Sequence, residues 1–311
     1  CYDINTYFKE ISFINFSLYR FTKVKRMILI YFNSKRWNCQ LQIGGIQMFD
    51  YHMHSNFSAD CKTPMKDTVE AALQKGIKEI CFTEHIDYDY PDPTINFELD
   101  LKGYDEEIKT IQENYHEKIT VKKGVEIGVQ PHVLDYCTNL LEKETFDFII
   151  CSMHAADRKN LHWGDFFTNR TPEAAYELYY EEFLYCVQNF ESYSILGHLD
   201  LVKRYKKLTS NADFHDIIRN IFTTIIPKGK GIEVNTSGFA YGLNSAMPSI
   251  DILKLYKECG GEIITVGSDA HEADHVGRHI NETYQLLDSL GFKYIATFDN
   301  LEPQFHSIKQ F

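Results

Sequence analysis

Short apolar runs alternate with longer stretches of helical period from residue 48 to the end of the chain, and most of those runs end in a histidine or an acid. Apolar runs of strand length separated by amphipathic helices specify a parallel α/β architecture. The pattern predicts strands over 49–52, 77–83, 119–127, 146–152, 194–197, 231–235, 263–267 and 294–297. Helices are predicted over 101–115, 133–142, 172–189, 214–224 and 280–290. Two more are placed by their ends. One starts at Thr63-Pro64 as cap and first helical residue and stops at Gly76; the other is capped by Ser249 or Asp251, runs to Glu258 and stops at Gly260-Gly261. Seven strand-helix units plus a final strand fit a closed or nearly closed barrel better than an open sheet. No repeat, low-complexity tract or linker divides residues 48–311.

The polar residues at the strand ends carry the chemistry. His52 and His54 end the first strand, His85 of Thr83-Glu84-His85 the second, and Glu126 the third. His154, His198 and Asn235 end the fourth, fifth and sixth, and Asp269 and His271 end the seventh. In a parallel barrel the carboxyl ends of the strands meet on one face, where such folds place their sites. Each motif alone is a weak signal; their recurrence at successive strand ends is a strong one. Imidazoles mixed with carboxylates suit Zn²⁺, Fe²⁺ or Mn²⁺. Residues i and i+2 of a strand face one side, so His52 and His54 can reach one ion, as can Asp269 and His271. The donors exceed the needs of one four-coordinate ion, which implies two or three. Such a cluster can generate hydroxide at neutral pH and clamp a phosphoryl group.

Arginine binds phosphate in bidentate fashion, and three arginines follow strand ends closely: Arg158, Arg204 and Arg278. With Asn235 they are the candidates for substrate contact, Arg158 and Arg204 ahead of Arg278. His162 and His275 are kept as candidates for orienting a ligand or touching substrate, whereas His116, His215, His279 and His306 read as solvated surface. The Tyr-rich stretch 176–185 reads as packing surface, not a stacking platform.

Composition narrows the function. A formal charge of −12 argues against general nucleic-acid binding, since the phosphate backbone would be repelled. Bound cations can still invert the field locally for a small phosphate ester. At 44% hydrophobic and 14% aromatic the chain can bury a large core. Its 8 cysteines form no CxxC pair and read as reduced thiols, and no window has the length of a membrane span, so a cytoplasmic location is expected. Residues 1–47 differ: they carry Lys9, Arg20, Lys23, Lys25, Arg26, Lys35 and Arg36 against Asp3 and Glu10. Gly44-Gly45-Ile46-Gln47-Met48 can be encoded by a ribosome-binding sequence, a spacer and a start codon. The expectation is a non-native leader with Met48 as natural start; the alternative is a genuine extension that packs on the domain.

Taken in order, HxH, TEH, Gly-Val-Glu, Ser-x-His, Gly-His-x-Asp and Ser-Asp-Ala-His resemble the PHP family (polymerase and histidinol phosphatase) over essentially all of residues 48–311. Within it, Asp50 to Asp60 and Gly197 to Tyr205 look most like the monofunctional histidinol-phosphate phosphatases of histidine biosynthesis. The resemblance implies a distorted seven-stranded β/α barrel, (β/α)7, with a trinuclear centre. It assigns one ion to His52, His54, Glu126 and Asp269. A second would take Glu126, His154 and His198, and a third Asp60, His85 and His271. Many members carry His where this chain has Asp60, which changes a nitrogen ligand to oxygen. The implied activity is hydrolysis of L-histidinol phosphate, a small-molecule phosphate monoester, by a metal-bridging hydroxide, with no side chain assigned as a catalyst. Two alternatives stand beside it: a phosphoesterase or nuclease acting on another phosphate ester, and a non-catalytic, metal-binding regulatory domain.

Overall fold

The computed structural model describes residues 47–205, 210 and 212–308. Apart from Gln47, the leader expected over 1–47 lies outside the described residues. Seven strands form one sheet: β1 (Phe49–Asp50), β2 (Glu79–Asp87), β3 (Thr120–Gly128), β4 (Phe148–Ser152), β5 (Ile195–Leu196), β6 (Gly231–Asn235) and β7 (Ile264–Gly267). They lie side by side in chain order, and every pairing is parallel.

The chain beyond β1 meets β7 and the chain that follows it. Tyr51 N donates to Val266 O at 3.0 Å, Asp269 N to His52 O at 2.8 Å, and His54 N to Ala270 O at 2.9 Å. This seam joins the first strand to the last and gives the nearly closed seven-stranded barrel that the sequence pattern predicts. Gly267 sits at the seam because a Cβ there would collide with Cβ of His52 and Oε1 of Glu233.

The helices α1 (Met65–Gln74), α2 (Leu101–Tyr115), α3 (Leu134–Leu141), α4 (Pro172–Asn189), α5 (His215–Ile225), α6 (Ile250–Glu258) and α7 (Ile280–Ser289) bury one stripe each. In α1 the stripe is Met65, Thr68, Val69 and Ala72; in α5 it is Ile218, Ile221, Phe222 and Ile225. Both follow the i, i+3, i+4, i+7 spacing of an amphipathic helix packed on a core. Thr171 caps α4, its Oγ1 accepting from Ala174 N at 3.2 Å. Thr63 does not cap α1. Pro64 holds the cap position without a side-chain bond, and the Thr63 hydroxyl donates to His271 O at 2.8 Å. Ser249 stands at the cap of α6 without a side-chain cap bond. The tyrosines of α4 split: Tyr176, Tyr179 and Tyr180 are buried, while Tyr185 is exposed.

The final predicted strand is not part of the barrel. β8 (Tyr294–Asp299) pairs antiparallel with β9 (Glu302–Ser307) through a turn in which Asn300 and Leu301 have φ of 49° and 67°. Positive φ at both central residues is the tight hairpin geometry usually signalled by Asn-Gly. β9 escaped sequence reading because it is mostly exposed and contains Pro303. Phe298 N donates to the buried Tyr51 hydroxyl at 3.0 Å and ties the hairpin to the barrel. The six described cysteines are free, and among the described residues no helix is long and apolar enough to cross a membrane.

Candidate metal centre

Glu126 stands at the middle of the strand ends and is fully buried. The β2–β3 register sets His85 directly beside it. Its Oε2 lies 3.1 Å from Nε2 of His52, 3.5 Å from Nε2 of His54 and 3.3 Å from Nδ1 of His85. Its Oε1 lies 3.2 Å from Nε2 of His154 and 3.0 Å from Nε2 of His198. Asp269 Oδ1 approaches Nε2 of His54 at 3.4 Å and Nε2 of His52 at 3.7 Å. Asp60 lies at the open edge, its Oδ2 3.3 Å from Nε2 of His271 and 3.7 Å from Nε2 of His85. All nine residues expected as ligands therefore converge on one place.

Asp269 and His271 are not brought together by the pleat of a strand, as their i, i+2 spacing had implied. Asp269 has φ +54°, so the chain has left the strand there, and a turn rather than the pleat brings its Oδ1 within 3.6 Å of His271 Nδ1. Aspartate is among the residues that tolerate this left-handed conformation.

Two carboxylates behind the cluster were not singled out by sequence reasoning. Glu233 Oε1 lies 2.6 Å from Nδ1 of His52, and Asp87 Oδ2 lies 2.7 Å from Nδ1 of His154. A signal existed for each: both sit two residues along the same strand from a recognised position, Asn235 and His85 respectively, and so share its face. Gly128 pairs with Asp87 across β2 and β3, and a Cβ there would occupy the space of the Asp87 carboxylate.

The electrostatics follow from burial against this ring of acids. Burial opposes protonation of His52, but Glu126, Glu233 and Asp269 outweigh it and hold its pKa well above the ordinary value. His154 is raised in the same way by Asp87 and Glu126. Burial also opposes His271, yet its bond to Asp60 and the charge of Asp269 bring it up to about 9. His54 and His85 go the other way, lowered chiefly by burial, His85 to about 4. Burial would raise Glu126, but the surrounding imidazoles, His52 first, hold it well below the carboxylate range. The pocket is thus built to hold positive charge, as imidazolium protons or as cations.

The donors fit divalent metal ions. Among the described residues, five groups of three ligand atoms lie within 4.8 Å of one another, and all five fall in this cluster. Nδ1 of His85 and Nδ1 of His198 are buried without hydrogen-bond partners among the described residues, which is costly unless something else occupies them.

Above the cluster opens a cavity of about 480 Å³. Arg204 and Arg278 line it, with His162 and His275. The Arg204 guanidinium lies 3.3 Å over the Tyr241 ring, its Nη1 is 3.3 Å from Asp269 Oδ2, and its buried Nε has no partner among the described residues. One wall is aromatic, with Tyr90, Phe97, Trp163 and Tyr205. Asn160 Nδ2 bonds the Tyr90 hydroxyl at 2.9 Å, and Trp163 Nε1 bonds Asp92 Oδ2 at 2.7 Å, so this wall is pinned.

The other two substrate candidates are placed elsewhere. Arg158 is exposed at the tip of a small ribbon, where Ala155–Ala156 pairs with Lys159–Asn160, and it does not line the cavity. The Asn235 amide is consumed inside the fold: Nδ2 donates to Glu233 Oε2 at 3.1 Å, and Oδ1 accepts from Ser237 N and Oγ at 2.9 and 2.6 Å. Of the remaining histidines, His116 is exposed, as the sequence reading has it. His215, His279 and His306 are half-buried, with His279 against Phe239 and His306 against Phe49.

Residues 50–237 match the PHP domain. The chain belongs to the PHP family. Among its PHP-family relatives, a histidinol-phosphatase from Lactococcus lactis is 34% identical over 83% of this chain and 96% of its own length. A probable histidinol-phosphatase from Thermotoga maritima is 30% identical over 80% of this chain and 95% of its own length. A crystal structure of the Lactococcus lactis histidinol phosphate phosphatase, complexed with Zn, L-histidinol and phosphate, superposes with a TM-score of 0.75 at 33% identity. That match covers 83% of this chain and 99% of the other.

Proposed function

We propose that this chain is a metal-dependent histidinol-phosphate phosphatase that hydrolyses L-histidinol phosphate to L-histidinol and inorganic phosphate. The observation that carries the reading is one cavity that joins a Glu126-centred cluster of imidazoles and carboxylates to the half-buried guanidinium of Arg204. The relatives named histidinol-phosphatase, matched over nearly their whole length, support the substrate.

The residues that would hold metal are His52, His54, Glu126 and Asp269; Glu126, His154 and His198; and Asp60, His85 and His271. The sets suit two or three ions of the Zn, Fe or Mn kind. When bound, such ions activate water and neutralise phosphate charge. The protein's own part is positioning. Glu233 and Asp87 hold the outer ring nitrogens of His52 and His154, so their Nε2 atoms face Glu126. Arg204, clamped between Tyr241 and Asp269, keeps donors available for phosphate oxygens. Arg278 adds a second cation at the cavity wall. The aromatic wall suits the flat imidazole of the leaving alcohol.

The test is phosphate release by metal-reconstituted protein from histidinol phosphate, set against nucleotide monophosphates and single-stranded DNA. Turnover of histidinol phosphate at least about tenfold above the others is expected. Equal or greater turnover of the nucleotides, or none of histidinol phosphate, overturns the reading.

A further inference from the structure

We infer that Ser58 is a positioning residue that fixes the tautomer of His54, and that the buried Glu84 sets the direction of the Ser58 hydroxyl. The assignment follows from counting protons. Glu84 is fully buried, and the backbone N–H of Ser55 points at its Oε2, which marks that oxygen as an acceptor. It takes Ser55 N at 3.1 Å and Ser58 Oγ at 2.6 Å on Oε2, and Ser55 Oγ at 2.6 Å on Oε1. The single hydroxyl proton of Ser58 is therefore committed to Glu84, which leaves its oxygen as an acceptor. That oxygen takes His85 N at 3.0 Å and lies 3.1 Å from Nδ1 of His54. Nδ1 must then carry a proton and donate it. The lone pair of His54 is left on Nε2, the atom facing Glu126 and Asp269.

His52 and His154 have a carboxylate directly against Nδ1, whereas His54 reaches its carboxylate through a serine. Ser58 also accepts from the backbone N–H of His85, so one hydroxyl contacts two residues of the cluster. Tyr104 lies over the same loop, packing on Phe57 beside Ser58. The loop that presents Ser58 is thus supported independently of metal.

The inference rests on the metal reading above, and its test separates the two. Zinc affinity is measured by chelator competition, and ring protonation by ¹⁵N-histidine NMR on zinc-loaded protein. Wild type is expected to show the His54 proton on Nδ1. Ser58→Ala is expected to lose about 10- to 100-fold in zinc affinity, the usual effect of removing a group that orients a ligand. Glu84→Ala is expected to lose affinity likewise, and Glu84→Gln to recover most of it, because the carboxamide can keep its oxygen towards Ser58 and turn its nitrogen to Ser55 Oγ. Wild-type protein that takes up no zinc overturns the metal centre and this inference together. Zinc uptake with the proton on Nε2, or Ser58→Ala binding zinc as wild type does, overturns this inference alone. The wild-type spectrum decides the matter even where Ser58→Ala does not fold.

Discussion

Both oxygens of Glu233 are in use: Oε1 faces Nδ1 of His52 at 2.6 Å, and Oε2 accepts from His198 N at 3.0 Å and Asn235 Nδ2 at 3.1 Å. A carboxamide cannot replace it. In Glu233→Gln the amide nitrogen must face a donor on one side or the other. The expected result is a loss of about 1–3 kcal/mol in stability from the unmet buried donor, together with about 10- to 100-fold weaker metal binding. Thermal melts with and without zinc, and metal content by mass spectrometry, check it.

Asp269→Ala removes the carboxylate shared by His52 and His54 and frees Arg204. Phosphatase activity should fall below about one-thousandth of wild type, a loss of roughly 4 kcal/mol in transition-state stabilisation, with metal content reduced in parallel. Activity within tenfold of wild type would sink the ligand assignment.

Arg204→Ala should raise KM for histidinol phosphate more than it lowers kcat, since a phosphate contact held in ground and transition states alike is uniform binding. Arg204→Lys should not restore it, because a lysine reproduces neither the two-pronged donor geometry nor the stacking on Tyr241. Steady-state kinetics of the two variants side by side is the measurement.

Arg158 gives the contrasting case. It is exposed at the ribbon tip with φ +52° and lies away from the cavity. Arg158→Ala should leave kcat/KM within about twofold and stability within about 0.5 kcal/mol, the range of ordinary surface changes. A tenfold rise in KM would return it to the phosphate site.

The pH dependence of metal-stripped protein has a defined sign. His271 has a folded pKa raised to about 9, from an ordinary value of 6.5. A group raised on folding contributes stability that is complete below its unfolded pKa and is lost as pH climbs through its folded one. His52 and His154 are shifted in the same direction. The melting temperature of chelator-treated protein should therefore fall between about pH 6.5 and 9. Zinc addition near pH 7.5 should release protons, because cation and protons compete for the same nitrogens. A melting temperature that rises over that interval contradicts the charge assignment.

Much of this was legible in the sequence. The parallel barrel was readable because each unit writes its own local pattern, an apolar run and then a stripe such as Ile218, Ile221, Phe222 and Ile225. The clustering of the histidines and acids was readable because parallel strands gather their ends on one face. What escaped reading depends on tertiary closeness. Glu233 and Asp87 become orienting groups only because of which ring nitrogen they meet. Arg158 and Asn235 were placed by distance along the chain, but a two-residue turn carries Arg158 out to solvent and a local bond network uses up the Asn235 amide. The C-terminal hairpin was half seen because its turn is Asn300-Leu301, which lacks the glycine that usually marks such a bend.

The seam between residues 51–54 and 266–270 has a consequence for how the protein comes into being. The two sides of that seam are among the first and the last parts of the barrel to leave the ribosome, so His52 waits for Asp269 through most of synthesis. Contacts of such long sequence separation form late in folding. A nascent chain therefore cannot assemble the full pocket until residues 266–270 have been made, however early His52 and His54 emerge.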